Sequence, residues 1–335
     1  MKLTHEQIKS ITLGAAYIEQ VDGRTIFHRF TKEQEALYEA GRADFYNKAF
    51  SNSCVTLEFE TDSSSLFINS HLVQRSSRTS YSHDIFVDGV LCGRLKGKFD
   101  NEPNAVKSGT AAGLFRLGES GKPKKVSVHL PWSYASEIIE LSLDDGSSLI
   151  PIKKSLKIIF YGDSITQGYD AQNTSDTYTS RVASKLDAEA RNKGIGGEIF
   201  RPELAKLKDE GFNPDIITVA YGTNDWAGGV SRETFERRSD EFFASLAENY
   251  PSAKIFAIAP IWRADWRDMH TLGEFFHIRE HFSLIADKYP SVTLIDGFDF
   301  LPHDTELFSD KFLHPQDDGF AYYAEGLTNE LKKYI

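Results

Sequence analysis

The sequence predicts an α/β protein in two parts: a β-sandwich over residues 1–150, and a domain built on a parallel sheet over residues 151–335. Three observations lead to this fold class. Short apolar segments separated by turns fill the first part. The second part alternates apolar strands with amphipathic helices. The length of 335 residues also exceeds that of one ordinary domain, about 100–200 residues.

The first part consists of segments with the alternation of half-buried strands. In CVTLEFETD, residues 54–62, Val55, Leu57 and Phe59 fall on one face. The pair Asp88–Gly89 lies between two apolar segments and predicts a β-hairpin. Further strands are predicted in SLFINSHLV, GLFRLG, KVSVHLPW and EIIELSL. One helix is predicted here, over residues 31–42, and the boundary between the parts is placed in residues 144–154.

The second part repeats a strand followed by a helix. The predicted strands are KIIFYG, DIITVAYG, AKIFAIAP and VTLIDG. The predicted helices are DTYTSRVASKLDAEA, SRETFERRSDEFFASLAENY, and two more over residues 270–288 and 315–333. This alternation predicts a parallel sheet with helices on both faces. Ligands of such sheets bind beyond the carboxyl ends of the strands, which is where we look for a site.

Composition narrows the classes of partner. A formal net charge of −11 argues against nucleic acid and against anionic membrane surfaces, since both require clustered Lys and Arg. The one basic cluster, GKPKK, is interpreted as a solvated turn. Because the N-terminus has no long apolar run, we expect a cytoplasmic protein, or a secreted one if a leader has been removed. Cys54 and Cys92 are expected to be two buried thiols rather than a disulfide.

Four polar segments fall at one edge of the predicted sheet. They are GDSITQG with Ser164, RNKGIGGE, YGTNDW with Asn224, and DKFLHPQDDG with His314. Each has an ordinary explanation when taken singly, such as a helix cap for Ser164 or positive-φ turns for the glycines. Together they supply what acyl transfer requires, namely a hydroxyl nucleophile, an imidazole base and amide donors for an oxyanion.

These blocks, in this order, resemble the SGNH (GDSL-type) hydrolase superfamily across the second part of the chain. The resemblance implies a flavodoxin-like three-layer fold with a five-stranded parallel sheet. It implies that Ser164 is the nucleophile and His314 the general base. The N–H of Ser164, the N–H of Gly197 and the side chain of Asn224 are implied as oxyanion donors, with Gly196 as the alternative glycine. No metal and no nucleotide cofactor are implied.

One position departs from the superfamily pattern, which carries its acid three residues before the histidine, as D-x-x-H. That position is Lys311 in this sequence, and the nearest aspartate is Asp310, four residues before His314. Two alternatives stay open at this point. Either Asp310 completes a catalytic triad, or a backbone carbonyl orients the imidazole and the site is a dyad.

Tryptophans at the strand ends bear on the substrate. Trp226, Trp262 and Trp266 each follow a predicted strand, and exposed indoles there could stack on sugar rings or wall a small pocket. Trp132 ends a strand of the first part and could also reach the cleft. Asp163, beside the nucleophile, completes the predicted substrate-binding residues.

The order of the two parts also suggests a substrate. A jelly-roll-like part ahead of an SGNH part resembles carbohydrate esterase family two and its relatives. The expected partner is a small-molecule or oligosaccharide ester, and the expected reaction is deacetylation of O-acetylated sugars. The alternatives are a thioesterase or lysophospholipase on the same scaffold, and a glycan-binding protein without activity. The sequence makes no prediction of the oligomeric state.

Overall fold

The first half of the chain consists mainly of two antiparallel sheets. A computed structural model describes residues 1–99 and 107–335. In chain order, the elements of this half are α1 (His5–Ser10), β1 (Thr12–Leu13), β2 (Tyr17–Val21), β3 (Arg24–His28), α2 (Lys32–Glu39), α3 (Ala43–Ala49), β4 (Thr56–Thr61), β5 (Ser65–Gln74), β6 (Ser80–Val87), β7 (Val90–Lys98), β8 (Ser108–Arg116), β9 (Lys124–His129), β10 (Tyr134–Leu143) and β11 (Ile150–Pro151). One sheet has the order β1-β4-β9-β6-β7, with β11 beside β4, and the other has the order β2-β3-β10-β5-β8.

Both sheets contribute side chains to one apolar core. Leu57 and Phe59 of β4 lie in it, as predicted from their alternation, together with Leu66 and Ile68 of β5. Successive residues of a strand point to opposite faces, so one face of each sheet is apolar and the other meets solvent or the second half. Two antiparallel sheets that share one core are compatible with the predicted β-sandwich, which stays a prediction. The jelly-roll connectivity stays a prediction.

Two local predictions in this half are confirmed, and two helices were missed. Asp88 and Gly89 form the two-residue turn between β6 and β7, and both have positive φ, 50° and 79°. The predicted helix is α2, and the side chain of Thr31 caps it by accepting the N–H of Gln34. The short helices α1 and α3 carry no long apolar periodicity and were not predicted.

The second half is a five-stranded parallel sheet with helices. Its elements are β12 (Leu156–Gly162), α4 (Ser164–Gln167), α5 (Tyr178–Lys185), β13 (Ala188–Gly194), α6 (Pro202–Ala205), β14 (Ile216–Ala220), α7 (Thr223–Ala227), α8 (Arg232–Asn249), β15 (Lys254–Ala259), α9 (His277–Lys288), β16 (Val292–Asp296) and α10 (Asp317–Leu331). The strand order is β13-β12-β14-β15-β16, and every pair is parallel. Helix α5 packs on α10, and α8 packs on α9. This is the α/β fold that the alternation predicted.

The predicted helix after β12 was too long at its carboxyl end. It was expected to run on through DAEA, but α5 ends at Lys185 and strand β13 begins at Ala188. Asp187, at φ 50°, takes the left-handed conformation that ends the helical turn. Ala188 and Ala190 are buried by pairing with β12, so tertiary burial outweighs the helix propensity of alanine.

The two halves of the chain contact each other extensively. Phe30, Tyr38 and Phe45, from the segment around α2 and α3, belong to the apolar core of the second half, and so does Trp132. The guanidinium of Arg29 is fully buried and donates to the carbonyl of Asn192 at 2.6 Å. The first half therefore packs against the strand β13 that leads into the glycine-rich loop.

Neither cysteine is in a disulfide. Cys54 is a buried free thiol, as expected, whereas Cys92 is exposed on β7, so the prediction of its burial was wrong. Strand β7 is the edge of its sheet, and its side chains are largely open to solvent. Among the described residues, no helix combines the length and apolar character needed to cross a membrane.

Candidate active site

Ser164 is the first residue of the short helix α4 that follows strand β12. Asp163, and not the serine, caps this helix, because its Oδ1 accepts the N–H of Ile165 at 2.9 Å. The hydroxyl of Ser164 is therefore free for another partner, and its Oγ lies 2.9 Å from Nε2 of His314. Gly162 permits this tight turn, since a Cβ there would lie 2.0 Å from a side-chain oxygen of α4.

A carboxylate lies on the other nitrogen of the imidazole. Oδ2 of Asp310 is 2.7 Å from Nδ1 of His314, so the serine, histidine and aspartate form one hydrogen-bonded series. With Nδ1 protonated and donating to the carboxylate, Nε2 is left to accept the serine proton. Of the two alternatives for the group that orients the imidazole, the structure places Asp310 there and not a backbone carbonyl.

The loop over residues 309–314 explains how an aspartate four residues away reaches the histidine. Lys311 adopts a left-handed backbone with φ 57°, and the N–H of Ser309 donates to the carbonyl of His314 at 2.8 Å. Oδ1 of Asp310 accepts the N–H groups of the three residues after Lys311 at 2.7–3.1 Å. The closed turn thus accommodates the additional residue, and both oxygens of the Asp310 carboxylate accept hydrogen bonds.

Asp310 is held in its charged form. Partial burial acts to raise its pKa, but hydrogen bonds from the ring of His314 and from N–H groups of the loop outweigh burial. The pKa of Asp310 consequently lies well below its ordinary value. A carboxylate that stays ionised can hold the imidazole in one tautomer and stabilise its protonated form.

The structure distinguishes between the two glycines proposed as oxyanion donors. The N–H of Gly196 already donates to Oε1 of Gln167 at 2.8 Å, so it is not available. Gly197 is exposed with φ 85°, and its N–H has no acceptor within residues 1–99 and 107–335. Asn224 donates one amide proton to the carbonyl of Glu198, the residue after Gly197, at 3.0 Å, which leaves its second amide proton free. The geometry favours Gly197 over Gly196.

The loop that carries Gly197 is fastened to the nucleophile helix. Nδ2 of Asn192, at the end of β13, donates to the carbonyl of Thr166 in α4 at 2.7 Å. A Cβ on Gly194 would lie 2.4 Å from the backbone nitrogen of Gln167, so only glycine allows the two backbones to approach this closely. The N-x-G pattern therefore fixes the glycine-rich loop relative to Ser164.

Three acids near the site are buried. Burial is the main cause that raises the pKa of Asp163 to about 6 and those of Glu198 and Asp225 to about 7. Asp163 was predicted to bind substrate, but its residue surface is 2% exposed and its carboxylate is committed to the helix cap. This corrects the prediction: Asp163 supports the turn that presents the nucleophile.

The three predicted tryptophans are less accessible than expected. Trp226 is fully buried, with its Nε1 donating to the carbonyl of Gly273 at 2.9 Å, so it offers no face to a ligand. Trp262 is 8% exposed and stacks on His303 at a centroid distance of 5.5 Å. Only Trp266 is partly open. The prediction that the indoles at the strand ends are exposed is therefore wrong for Trp226 and Trp262, because packing among the loops after the strands covers them.

The first half supplies an arginine that the sequence analysis missed. Arg78, in the loop after β5, donates to both carboxylate oxygens of Asp170, at 2.5 and 3.0 Å. Oδ2 of Asp170 lies 3.9 Å from Nδ1 of His314, so this ion pair adjoins the imidazole. The centroid of the Tyr169 ring is 5.9 Å from that of the His314 ring and 5.3 Å from that of the Trp132 ring. No motif marks these residues, because Arg78 and Trp132 lie in loops of the first half whereas Tyr169 and Asp170 follow α4.

A cavity of about 580 Å³ lies elsewhere, between the halves. Its lining includes Arg94 and His129 from the first half and Ser180 from helix α5. None of the hydrogen-bonded residues around Ser164 lines it. A second, much smaller cavity of about 20 Å³ adjoins the nucleophile turn, between Asp163 and Ile261.

Comparison with known proteins finds hydrolases among the proteins that are similar to this chain. Residues 160–322 match the model of the GDSL-like Lipase/Acylhydrolase family. The chain is similar to an acetylxylan esterase / glucomannan deacetylase of Cellvibrio japonicus (strain Ueda107), at 24% identity over 42% of this chain. That match covers 51% of the relative, so the chain spans about half the length of the curated protein it resembles.

Solved structures extend the similarity to both halves of the chain. The salicylyl-acyltransferase SsfX3 from a tetracycline biosynthetic pathway superposes with a TM-score of 0.80 at 21% identity, over 96% of this chain and 94% of that one. A family two carbohydrate esterase from Cellvibrio japonicus has a TM-score of 0.63 at 19% identity, over 96% and 94% of the two chains. At these identities the likeness is one of fold.

Proposed function

From the match of residues 160–322 to the model of the GDSL-like Lipase/Acylhydrolase family, we propose that the chain is a serine esterase that removes acetyl groups from O-acetylated sugars. Its reaction class is carboxylic ester hydrolysis. The observation that carries the proposal is the series Ser164–His314–Asp310, with contacts of 2.9 and 2.7 Å, at the carboxyl edge of the parallel sheet.

Acylation begins with the serine. Oγ of Ser164 attacks the ester carbonyl carbon while Nε2 of His314 takes the hydroxyl proton, and the carbonyl electron pair moves onto oxygen. Asp310 stabilises the imidazolium that forms. The tetrahedral intermediate then collapses, the bond to the sugar oxygen breaks, and His314 returns the proton to that oxygen.

The oxyanion is the point of greatest charge development, and preorganised N–H donors lower its energy. The available donors are the N–H groups of Ser164 and Gly197 and the second amide proton of Asn224. Deacylation repeats the same steps with water as the nucleophile: His314 takes a proton from water, acetate leaves, and Ser164 regains its proton. No further group is needed to balance either step.

The size of the space beside the nucleophile supports a short acyl group. The cavity of about 20 Å³ is lined by Asp163 and Ile165, the sequence neighbours of Ser164, and by residues that follow β14 and β15, including Thr223 and Ile261. A volume of this size holds about one water or methyl-sized group. An acetyl methyl would fit there, whereas a longer acyl chain would require its walls to move.

Separate observations support a sugar as the alcohol part of the ester substrate. The curated relative is named an acetylxylan esterase / glucomannan deacetylase, and a family two carbohydrate esterase shares the fold of both halves. Trp266 is partly open and lies in the loop after β15. Apolar ring faces of this kind suit the CH faces of sugars.

Two assays test the proposal. The first measures acetate released from acetylated xylo- and manno-oligosaccharides, with Ser164→Ala as the control that removes the covalent route. The second compares 4-nitrophenyl acetate with butyrate and octanoate esters, and with acetyl-CoA. We expect acetate release from the sugars, a preference for the acetyl ester, and loss of several orders of magnitude in Ser164→Ala.

Other outcomes would favour the alternatives. Faster turnover of acetyl-CoA than of any sugar ester would indicate a thioesterase, and a preference for octanoate would indicate a lipid-like substrate. Oligosaccharide binding without turnover of any ester would indicate a glycan-binding protein. Each of these results would contradict the proposed deacetylase.

A further inference from the structure

We propose that Lys48, in the first half of the chain, is a positioning residue for the oxyanion hole: it holds the Gly196–Gly197 peptide so that the N–H of Gly197 faces the reacting ester. The inference rests on the proposed function, since it concerns the same serine chemistry. It assigns a role in that chemistry to the β-rich half, 148 residues before the loop in sequence.

The argument starts from the peptide group itself. In a trans peptide the carbonyl of one residue and the N–H of the next lie in one plane and point in opposite directions. Fixing the carbonyl of Gly196 therefore fixes the direction of the N–H of Gly197. The described residues contain no cis peptide bond, so this relation holds here.

The carbonyl of Gly196 is held by a cation. Nζ of Lys48 donates to it at 2.8 Å, and this contact is buried. The same ammonium reaches Asp44 at the surface, at 2.7 Å, so it bridges a solvent-facing carboxylate and the loop. A hydrogen bond from a charged donor is stronger than a neutral one and also polarises the amide, which makes the opposite N–H a better donor.

A peptide between two glycines needs such a restraint. Neither residue carries a Cβ, so both keep the torsional freedom of glycine, although Gly196 packs closely against the ring of Tyr169. A Cβ on Gly197 would find its nearest neighbour, a ring atom of Phe45, 3.8 Å away, so packing does not restrain this residue. Rotation would turn the Gly196 carbonyl toward the oxyanion, where it would repel the developing charge. The ammonium of Lys48 opposes that rotation.

The other contacts of the loop do not perform this task. The N–H of Gly196 is bound to Gln167, which fixes the preceding peptide. Tyr38 and Arg201 bind the side chain of Glu198, beyond the glycine. Lys48 alone, among the side chains of the described residues, donates to the carbonyl of the peptide in question.

The test compares Lys48→Met with Asp44→Asn. Methionine keeps the apolar stem and removes the ammonium, whereas Asp44→Asn removes only the outer ion pair and leaves the contact with Gly196. With 4-nitrophenyl acetate we expect kcat to fall about 10–100-fold in Lys48→Met, less than for complete loss of a donor, with KM within about threefold. Asp44→Asn should keep wild-type kcat, and Lys48→Arg should recover much of the loss.

Each result bears on the inference. A folded Lys48→Met protein with wild-type kcat, or one in which only KM rises, would overturn it, and so would equal losses in Lys48→Met and Asp44→Asn. If Lys48→Met does not fold, Lys48→Gln, which keeps a shorter neutral donor, takes its place with the same expected loss. Wild-type protein that turns over no ester would overturn the proposed function, and this inference with it. Active wild-type protein whose Lys48→Met variant is equally active would overturn this inference alone.

Discussion

Oδ2 of Asp310 lies 2.7 Å from Nδ1 of His314, although Asp310 stands four positions before the histidine and not three, as in the pattern D-x-x-H. The left-handed Lys311 takes up the additional residue, and Oδ1 of Asp310 is bound to backbone N–H groups of the same turn. The carboxylate is therefore placed by its own loop and does not depend on a partner elsewhere in the chain. This makes its contribution testable by a single substitution.

Asp310→Asn should lower kcat about 10²–10⁴-fold, because an amide at this position removes the negative charge and can stabilise the wrong tautomer of His314. The measurement is steady-state hydrolysis of 4-nitrophenyl acetate. Asp318→Asn, at an exposed position in α10, is the control and should leave kcat unchanged. A loss below about fivefold would show that His314 acts without its acid, as in a dyad.

Asn224→Ala should lower kcat about 10²–10³-fold with little change in KM, because the lost amide donates to the oxyanion and not to the bound ester. Asn249→Ala is a matched control, since Asn249 also donates its side-chain amide to a carbonyl, that of Ala205, at 2.8 Å. If both variants lose activity to the same extent, the effect is on stability and the role assigned to Asn224 is wrong.

Ile261→Ala should shift the ester preference toward butyrate. Ile261 lines the small cavity beside the nucleophile turn, and removing its side chain enlarges that space. Buried Ile→Ala substitutions cost about 2–5 kcal/mol of stability, so the readout is the ratio of kcat/KM values for butyrate and acetate esters in folded protein. Ile255→Ala, in the same strand region but outside the cavity, controls for lost packing. An unchanged ratio would mean that the acyl group lies elsewhere.

Much of the fold and the main geometry of the site could be predicted because both depend on local patterns. Strands of a parallel sheet end at one edge, so motifs that follow β12, β13 and β14 meet without any knowledge of tertiary contacts. The distance between Asp310 and His314 could not be decided from spacing, because it depends on the φ of Lys311. Gly196 and Gly197 could not be ranked, because the partner of the Gly196 N–H, Gln167, lies in another segment.

Contacts between the halves could not be predicted at all. Lys48 and Arg78 carry no motif, and they reach the site only because the first half packs against β13 and the loop after α4. Burial was also misjudged where loops cover one another, as at Trp226. Sequence position indicates the sheet edge on which a side chain lies, whereas its exposure depends on neighbours that are distant in sequence.

Asp225→Asn should stabilise the protein at pH 8 and lose that advantage at pH 5. Burial raises the pKa of Asp225 from 3.8 to about 7, and its Oδ2 has no hydrogen-bond partner within the described residues. Between about pH 4 and 7 the folded protein therefore binds more protons than the unfolded chain, so this group lowers the free energy of unfolding as pH rises through that window. Above pH 7 the buried charge costs up to about 4 kcal/mol, which the neutral amide avoids.

The measurement is the melting temperature of wild type and Asp225→Asn at pH 5, 6, 7 and 8. The difference between them should grow with pH up to about 7 and then stay level, since the carboxyl is fully ionised beyond that point. Asp318→Asn, at an exposed site, should show no such trend. A constant difference across the series would mean that Asp225 does not titrate in this window, and a difference that shrinks with pH would mean that its pKa is lowered by a partner and not raised by burial.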